Sequence, residues 1–392
     1  MKIAPAYRNA TVHVLDASRA VDVVSTLLNP GKAPVFDRQN RKTQDEIREQ
    51  YAGRARRPLL TYSAARANAP SLQWADVPVP AFTGRRFLDD EPLADIAKYI
   101  DWTLFFSTWE LKGSFPGILT HPKYGPAAAE LFEHAQELLG RIIDSRLLKA
   151  RGSYGFWPAN SDGDDIVLYA DDCRTDELLR LNMLRQQEAL PSGQPNRSLA
   201  DFVAPRTSGA ADYVGAFAIT AGLGADELVK RYEKQHDDYR AIMVKALADR
   251  LAEAFAEYLH ARVRREWGYG AAEALTNNDL IAEKYRGIRP AFGYPACPDH
   301  TEKIKLFDLL AAGRVGVTLT DSCAMMPAAS VSGIYLSHPQ ARYFMLGRIG
   351  RDQLEDYAAR KGQPVDAIAR WLAEHLDDDG VAAQVSPVGI RD

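Results

Sequence analysis

Gln235-His-Asp-Asp-Tyr-Arg-Ala-Ile-Met-Val-Lys-Ala-Leu-Ala-Asp-Arg-Leu-Ala-Glu-Ala-Phe255 sits inside the clearest periodic tract of this 392-residue chain, residues 225–266. Leu228, Val229, Tyr232, Tyr239, Ile242, Met243, Ala246, Leu247, Ala254, Phe255, Tyr258 and Leu259 recur mostly three or four residues apart. That spacing puts them on one helical face and marks the face as core. About forty residues at 1.5 Å each would run roughly 60 Å, long for a globular helix, so a break is expected near Gln235–Asp238. Outward from this tract, a second helical pattern covers 126–149, and short apolar runs alternate with turn signals from residue 59 onward. The patterning predicts strands at Asp165–Tyr169, Tyr213–Thr220 and Tyr343–Ile349, and helices at Thr301–Leu310, Arg351–Lys361 and Val365–His375. Phe156-Trp-Pro-Ala-Asn-Ser-Asp-Gly-Asp-Asp165 is expected to turn the chain into the strand at 166–169. Helices and strands so mixed define an α+β class.

The N-terminal end reads differently. Thr11-Val-His-Val-Leu15 has the pattern of a short buried strand, and Asp16 then caps a helix carrying Val21, Val24, Leu27 and Leu28 that stops at Asn29-Pro-Gly31. A lone strand-helix unit cannot bury both faces of its strand, so residues 1–30 are expected to be the tail of a parallel-sheet domain. The charged tract that follows reads as a linker, 31–54, with a solvated helix around Asp45–Tyr51. The main domain is expected at 55–376, and 377–392 as a frayed tail.

A net charge of −4 and a pI near 6.1, with no dense basic tract, argue against nucleic-acid partners. Three scattered cysteines suit a reducing compartment, and no run of 18 apolar residues or secretion signal is present, so a cytoplasmic protein without a membrane span is expected. GxGxxG, Walker, GxSxG and HExxH motifs do not occur.

Four segments could carry chemistry. Arg289-Pro-Ala-Phe-Gly-Tyr-Pro-Ala-Cys-Pro298 combines three prolines, which keep helix and central strand out, with a glycine, two aromatic rings and a cation. It reads either as a proline-rich surface loop or as a cradle for a ligand bearing a carboxylate and a flat ring. Asp101, inside the apolar run Tyr99–Phe106, needs a cation or donors: a helix cap, an ion pair and a ligand ammonium all satisfy it. In Ser332–Phe344, Tyr343 and Phe344 could stack on a heterocycle or fill core, and His338 before Pro339 fits a turn histidine better than a base. Asp249, Glu253 and Glu257 share one helix face, read as a solvated row paired with Arg250 and Arg262 or as a functional acidic patch. Gln235-His-Asp-Asp-Tyr239 lacks a second histidine at the spacing a metal needs, so no metal site is expected.

Together these segments resemble the activation domain of cobalamin-dependent methionine synthase over about residues 55–376. The resemblance rests on Asp101-Trp-Thr with Trp109-Glu-Leu, Leu199-Ala-Asp-Phe-Val-Ala-Pro205, the Gln235–Phe255 tract and Arg289 through Lys303. Val12-His-Val-Leu-Asp-Ala-Ser-Arg-Ala20 resembles the last strand and helix of the preceding cobalamin-binding domain. The fold then expected is a single large C-shaped domain with a mainly antiparallel sheet flanked by helices, behind the strand-helix remnant. The resemblance implies that S-adenosylmethionine binds with Arg289 on its carboxylate, Asp101 on its ammonium and the backbone of Ala291, Gly293, Tyr294 and Ala296 on the adenosyl part. Tyr343 and Phe344 would close the pocket. It also implies methyl transfer to cob(I)alamin after reduction by a flavodoxin-like donor, in the service of methionine biosynthesis. Tyr294, Asp249, Glu253 and Glu283 would then lie near the corrin, and Arg262, Arg264 and Arg265 are candidates for steering the acidic reductant. The family's Asp-x-His-x-x-Gly cobalt-ligand motif is absent from this chain. Cobalamin is therefore expected from another domain or subunit, in cis or in trans. The alternative is a non-catalytic docking or gating module that senses S-adenosylmethionine.

Overall fold

The computed structural model describes residues 4, 7, 9–14, 17–52 and 57–377. The chain divides into two compact units, Met1–Pro58 and Leu59–Asp392. In the first unit, α1 (Ala17–Leu28) and α2 (Ala33–Ala52) pack together, and Asn40 and Gln44 of α2 donate to the Thr11 carbonyl at 3.0 and 2.7 Å. The expected strand is not formed: Thr11–Val14 pair with no other strand, and Leu15 lies outside the described residues. A strand needs a neighbour, and α2 offers side-chain amides instead of a backbone edge. The helix expected around Asp45–Tyr51 is longer, spanning most of the supposed linker. Val21, Val24 and Leu28 are exposed.

The second unit is built on an antiparallel sheet in the order β4-β3-β2-β5-β8, with β1 also on β2. The strands are β1 (Gly84–Glu91), β2 (Lys149–Asp162), β3 (Asp165–Tyr169), β4 (Glu177–Asn182), β5 (Asp212–Leu223) and β8 (Ser330–Tyr335). A separate two-stranded ribbon joins β6 (Thr318–Leu319) to β7 (Met325–Met326). Side chains alternate across β5: Tyr213, Phe217, Ile219 and Ala221 enter one core, Val214, Ala216 and Ala218 the other. Both faces of the sheet are therefore covered, which is why β5 reads as an unbroken apolar run.

Helices supply the covers. α3 (Trp102–Thr108), α4 (Gly125–Asp144), α5 (Ala225–Glu233) and α6 (Asp238–Glu266) contribute to the first core, and α7 (Glu302–Leu310) to the second. α8 (Arg351–Lys361) and α9 (Val365–Trp371) form a smaller third cluster with Leu184, Leu346 and Ile349. The break expected in the long tract falls between α5 and α6, where His236 takes a positive φ of 57° and Asp237 caps Arg240 N at 2.9 Å. Tyr239 and Ile242, read as core, are exposed because they lie on the first turns of α6 beyond its packed face. No helix among the described residues is long and apolar enough to cross a membrane.

Three further expectations are corrected. Phe156–Asp162, read as a turn, continues β2 through Pro158. β1 pairs β2 only up to Phe156 and β3 pairs it only from Ala159 onward, so proline occupies the one stretch where no amide donor is required on that side. Tyr343–Ile349 forms no strand beyond a single bridge at Ile349; the sheet takes Ser330–Tyr335 instead. Asp377 is not frayed: its amide donates to the Ile349 carbonyl at 3.1 Å and its carboxylate meets Arg348 at 2.5 Å, while 378–392 lie outside the described residues.

α8 is tied to α7 and the loop before it by buried charge. Lys361 Nζ meets Asp299 at 2.6 Å, Glu302 at 2.5 Å and the Thr301 hydroxyl at 2.8 Å, and the Tyr357 hydroxyl donates to Asp299 at 2.8 Å. Burial alone would raise the Asp299 carboxyl; Lys361 and two bonds from Thr301 outweigh it and hold it below its ordinary value. Lys361→Ala takes the cation from buried Asp299, while Glu302 keeps Lys305 at 2.8 Å, so urea denaturation should show a loss of about 3 kcal/mol. The depressed Asp299 stabilises the fold above the unfolded carboxyl range, and that contribution should disappear as pH falls below about 4.

Candidate ligand-binding site

The loop from Arg289 to Asp299 lies between β8 and α7 and is held from both sides. Ile288 exchanges backbone bonds with Leu336, Ile334 N donates to the Pro290 carbonyl at 3.0 Å, and Leu346 N donates to the Pro295 carbonyl at 2.8 Å. Gly333 permits this approach, since a Cβ there would stand 2.5 Å from the Pro290 oxygen. Within the loop, Gly293 N donates to Cys297 O at 2.8 Å and Cys297 N to Tyr294 O at 2.9 Å. The Cys297 thiol donates to the Ala291 carbonyl at 3.0 Å. Prolines that cannot enter a sheet thus sit in a loop whose carbonyls are claimed by its neighbours.

Arg289 opens into the interior. Its Nη2 pairs with Glu257 of α6, and its backbone N donates to the Tyr343 hydroxyl at 3.0 Å. Burial would lower the guanidinium; Glu257, with the phenols of Tyr343 and Tyr285, offsets this and holds it charged. Among the described residues, Arg289 Nε and Glu257 Oε2 are buried without a hydrogen-bond partner.

Two adjoining cavities share Arg289 and Glu253. One, of about 250 Å³, is walled by Tyr99, Asp101, Leu104, Arg250, Glu253, Glu257 and the Asn277–Ile281 segment. The other, of about 430 Å³, is walled by Pro290, Ala291, Tyr294, Pro295, Ala296, Val331, Tyr343, Phe344 and Met345. The first is ionic and the second apolar and aromatic, so together they suit a molecule with a charged end and a flat ring. Leu104, Ile281, Tyr294 and Met345 leave an apolar rim exposed, Tyr294 at 62% and Met345 at 74%.

Asp101 both caps and lines. Its Oδ1 accepts from Thr103 N at 2.9 Å at the start of α3 while the residue faces the ionic cavity, so the capping alternative and the site coexist. Ala291, Tyr294, Ala296, Tyr343 and Phe344 are brought to the second cavity as one wall; Gly293 is not, its amide being spent on the turn. Asp249 and Glu283 are exposed and line neither cavity. Burial raises the carboxyls of Glu253 and Glu283, and Arg289 opposes it in both. The acidic row of α6 splits: Asp249 meets Arg250 at 2.5 Å, Glu257 meets Arg289, and Arg262 turns away to Glu91 and Glu266. Among the steering candidates, Arg264 is buried against Glu273 at 2.8 Å and Tyr285, so Arg265 alone of the three is exposed and forms no ion pair among the described residues. His338 is a turn histidine, its ring nitrogens 3.1 Å from Gln73 O and from Gln340 N.

Sequence reasoning passed over Val331, Met345 and Asn277–Ile281, and read Glu257 and Arg250 only as members of a charged helix row. Glu257 was legible only as the third carboxylate of a row; its partner is 32 residues away. The Asn277 region carries no signal, because it joins the site through Asn277 Nδ2 on the Lys98 carbonyl, 179 residues away in sequence.

Fold and site define an α+β module whose cleft lies between a long helix and a proline-rich loop. Residues 92–362 match the model of the vitamin B12 dependent methionine synthase activation domain. The chain belongs to that family. It is also similar, at 50% identity and TM-score 0.80, to a crystal structure of the MetH reactivation domain bound to AdoHcy, over 81% of this chain and 99% of that one.

The Gly293 turn offers a direct check on the loop. At φ 92° an added Cβ would stand 2.3 Å from the His300 ring, so Gly293→Ala should cost roughly 2 kcal/mol or more in urea denaturation. An unchanged midpoint would mean that the loop does not need this conformation.

Proposed function

We propose that this chain binds S-adenosylmethionine in the paired cavities and presents its methyl group for the reductive reactivation of methionine synthase. The observation that carries the reading is that Arg289 and Asp101 line one ionic cavity which opens, at Arg289 and Glu253, onto the aromatic one. Arg289 pairs the donor's carboxylate through the edge that Glu257 leaves open. Asp101 takes the ammonium with the oxygen its helix cap does not use. The Ala291–Ala296 backbone, shaped by Gly293, holds the adenosyl part, and Tyr343 and Phe344 cover it. AdoHcy in the similar reactivation domain is the demethylated form of this donor, which supports the choice of ligand.

Cobalamin, brought by a partner domain in cis or in trans, would supply the nucleophile that accepts the methyl group, and a flavodoxin-like donor would supply the electron that activates it. This chain's own part is orientation and exclusion of water rather than acid-base chemistry. Leu104, Ile281, Tyr294 and Met345 form an apolar rim suited to a large planar partner at the cavity mouth. Glu253, which lines both cavities, with Asp249 and Glu283 outside them, would favour the protonated form of a histidine released from cobalt. The free cysteines are compatible with a reducing compartment, the cytoplasm.

Isothermal titration with S-adenosylmethionine tests the reading, and no binding at millimolar ligand would sink it. Arg289→Ala should weaken S-adenosylmethionine at least about ten-fold, a charge-assisted bond contributing roughly 1.5–3 kcal/mol. The same variant should weaken 5′-methylthioadenosine, which lacks the amino-acid end, much less. Equal losses on both ligands would remove Arg289 from the carboxylate role.

A further inference from the structure

Asp299-His-Thr-Glu-Lys303 follows the proline-rich loop and holds two groups that the ligand reading above leaves unused, His300 and Lys303. Lys303 is buried, and among the described residues it pairs with no carboxylate. Its Nζ lies 3.0 Å from His300 Nδ1 and donates at 3.2 Å to the Cys323 carbonyl, in the turn between β6 and β7. The neighbouring carboxylates are committed elsewhere, Asp299 to Lys361 and Glu302 to Lys361 and Lys305. A buried ammonium served only by an imidazole and a carbonyl is costly, so its place calls for a reason.

The His300 ring stands against the loop. A Cβ at Gly293 would lie 2.3 Å from its Cε1 and 2.5 Å from its Nδ1, so the ring fills the space that a side chain there would need. Lys303 can donate to Nδ1 only while that nitrogen is unprotonated, which fixes the ring as a neutral acceptor. This inference rests on the ligand reading, which gives the adenosyl part to the Ala291–Ala296 backbone. We propose that His300 and Lys303 are positioning residues for that backbone: Lys303 anchors the ring between α7 and the β6–β7 turn, and the ring sets the turn at Gly293. A proton on Nδ1 would bring two cations face to face, and the ring would have to leave the loop. Burial and Lys303 both push the His300 imidazole below its ordinary value, and Asp299 opposes them. The thiols of Cys297 and Cys323, the other titratable groups near Lys303, are raised by burial and stay uncharged at neutral and acidic pH. The support is therefore complete at neutral pH and is lost as pH falls below the ordinary histidine value of about 6.5.

Titration calorimetry of the full chain with S-adenosylmethionine and 5′-methylthioadenosine, at about pH 7.5 and about pH 5.5, tests this. His300→Ala should lose about ten-fold on both ligands at the higher pH, since both carry the adenosyl part. His300→Asn, which keeps an acceptor where Nδ1 stands, should stay within about three-fold of wild type there and lose less than wild type on acidification. That difference separates His300 from Glu253 and Glu283, whose raised carboxyls titrate in both chains, and it stands even where the Ala variant fails to fold. Wild-type affinity in His300→Ala would overturn the proposal. So would an equal acid loss in His300→Asn and wild type, and in either case binding by wild type leaves the ligand reading standing. Wild type binding neither ligand would defeat that reading, and this inference with it.

Discussion

A guanidinium withdrawn from water has to be paired, and at Arg289 that requirement joins the proline-rich loop to the longest helix. Glu257 provides the partner from α6, and Tyr343 closes on the Arg289 backbone from the segment beyond β8. Three stretches far apart in sequence therefore meet at one buried charge. Its removal would leave Glu257 buried alone, so the pair holds the site's geometry whatever its net contribution to stability. The donors and acceptors it leaves unused, Arg289 Nε and Glu257 Oε2, keep the pair open to a further polar group.

The sheet makes this meeting possible. Because β5 sends alternate side chains into two cores, helices must cover both faces, and α6 and the Arg289 loop come to adjoin. β8 then serves twice, as the edge strand on β5 and as the rail to which Ile288 and Pro290 are stitched. The Lys361 network fixes the far end of the same loop through Asp299. A loop that prolines exclude from regular structure is thus made rigid by bonds its neighbours donate, which suits a site that orients a reactant rather than reshaping around it.

Legibility in the sequence followed the range of the interactions. The α5–α6 tract, its break, β3, β5, α7 and α8 were readable because periodicity and capping act within a few residues. β2 was hidden by Pro158, whose tolerance depends on where β1 stops and β3 starts. The Tyr343 segment looked like a strand from its apolar content, yet β5 had already taken Ser330–Tyr335. At the site, Arg289, Asp101 and the Ala291–Ala296 backbone were legible as residues short of a partner. Glu257 was not, because a carboxylate on a charged helix face looks the same whether it meets water or a buried arginine.

The sequence by itself determined the α+β class, the long helix with its break, and a loop unable to join helix or sheet, since each follows from local backbone and side-chain chemistry. Only the tertiary structure decided that Asp101 serves as both cap and wall, that Arg264 is core rather than surface, and that Glu253 stands unpaired between two cavities. Those facts depend on which distant charges share a space from which water is largely withdrawn, and no spacing along the chain encodes that.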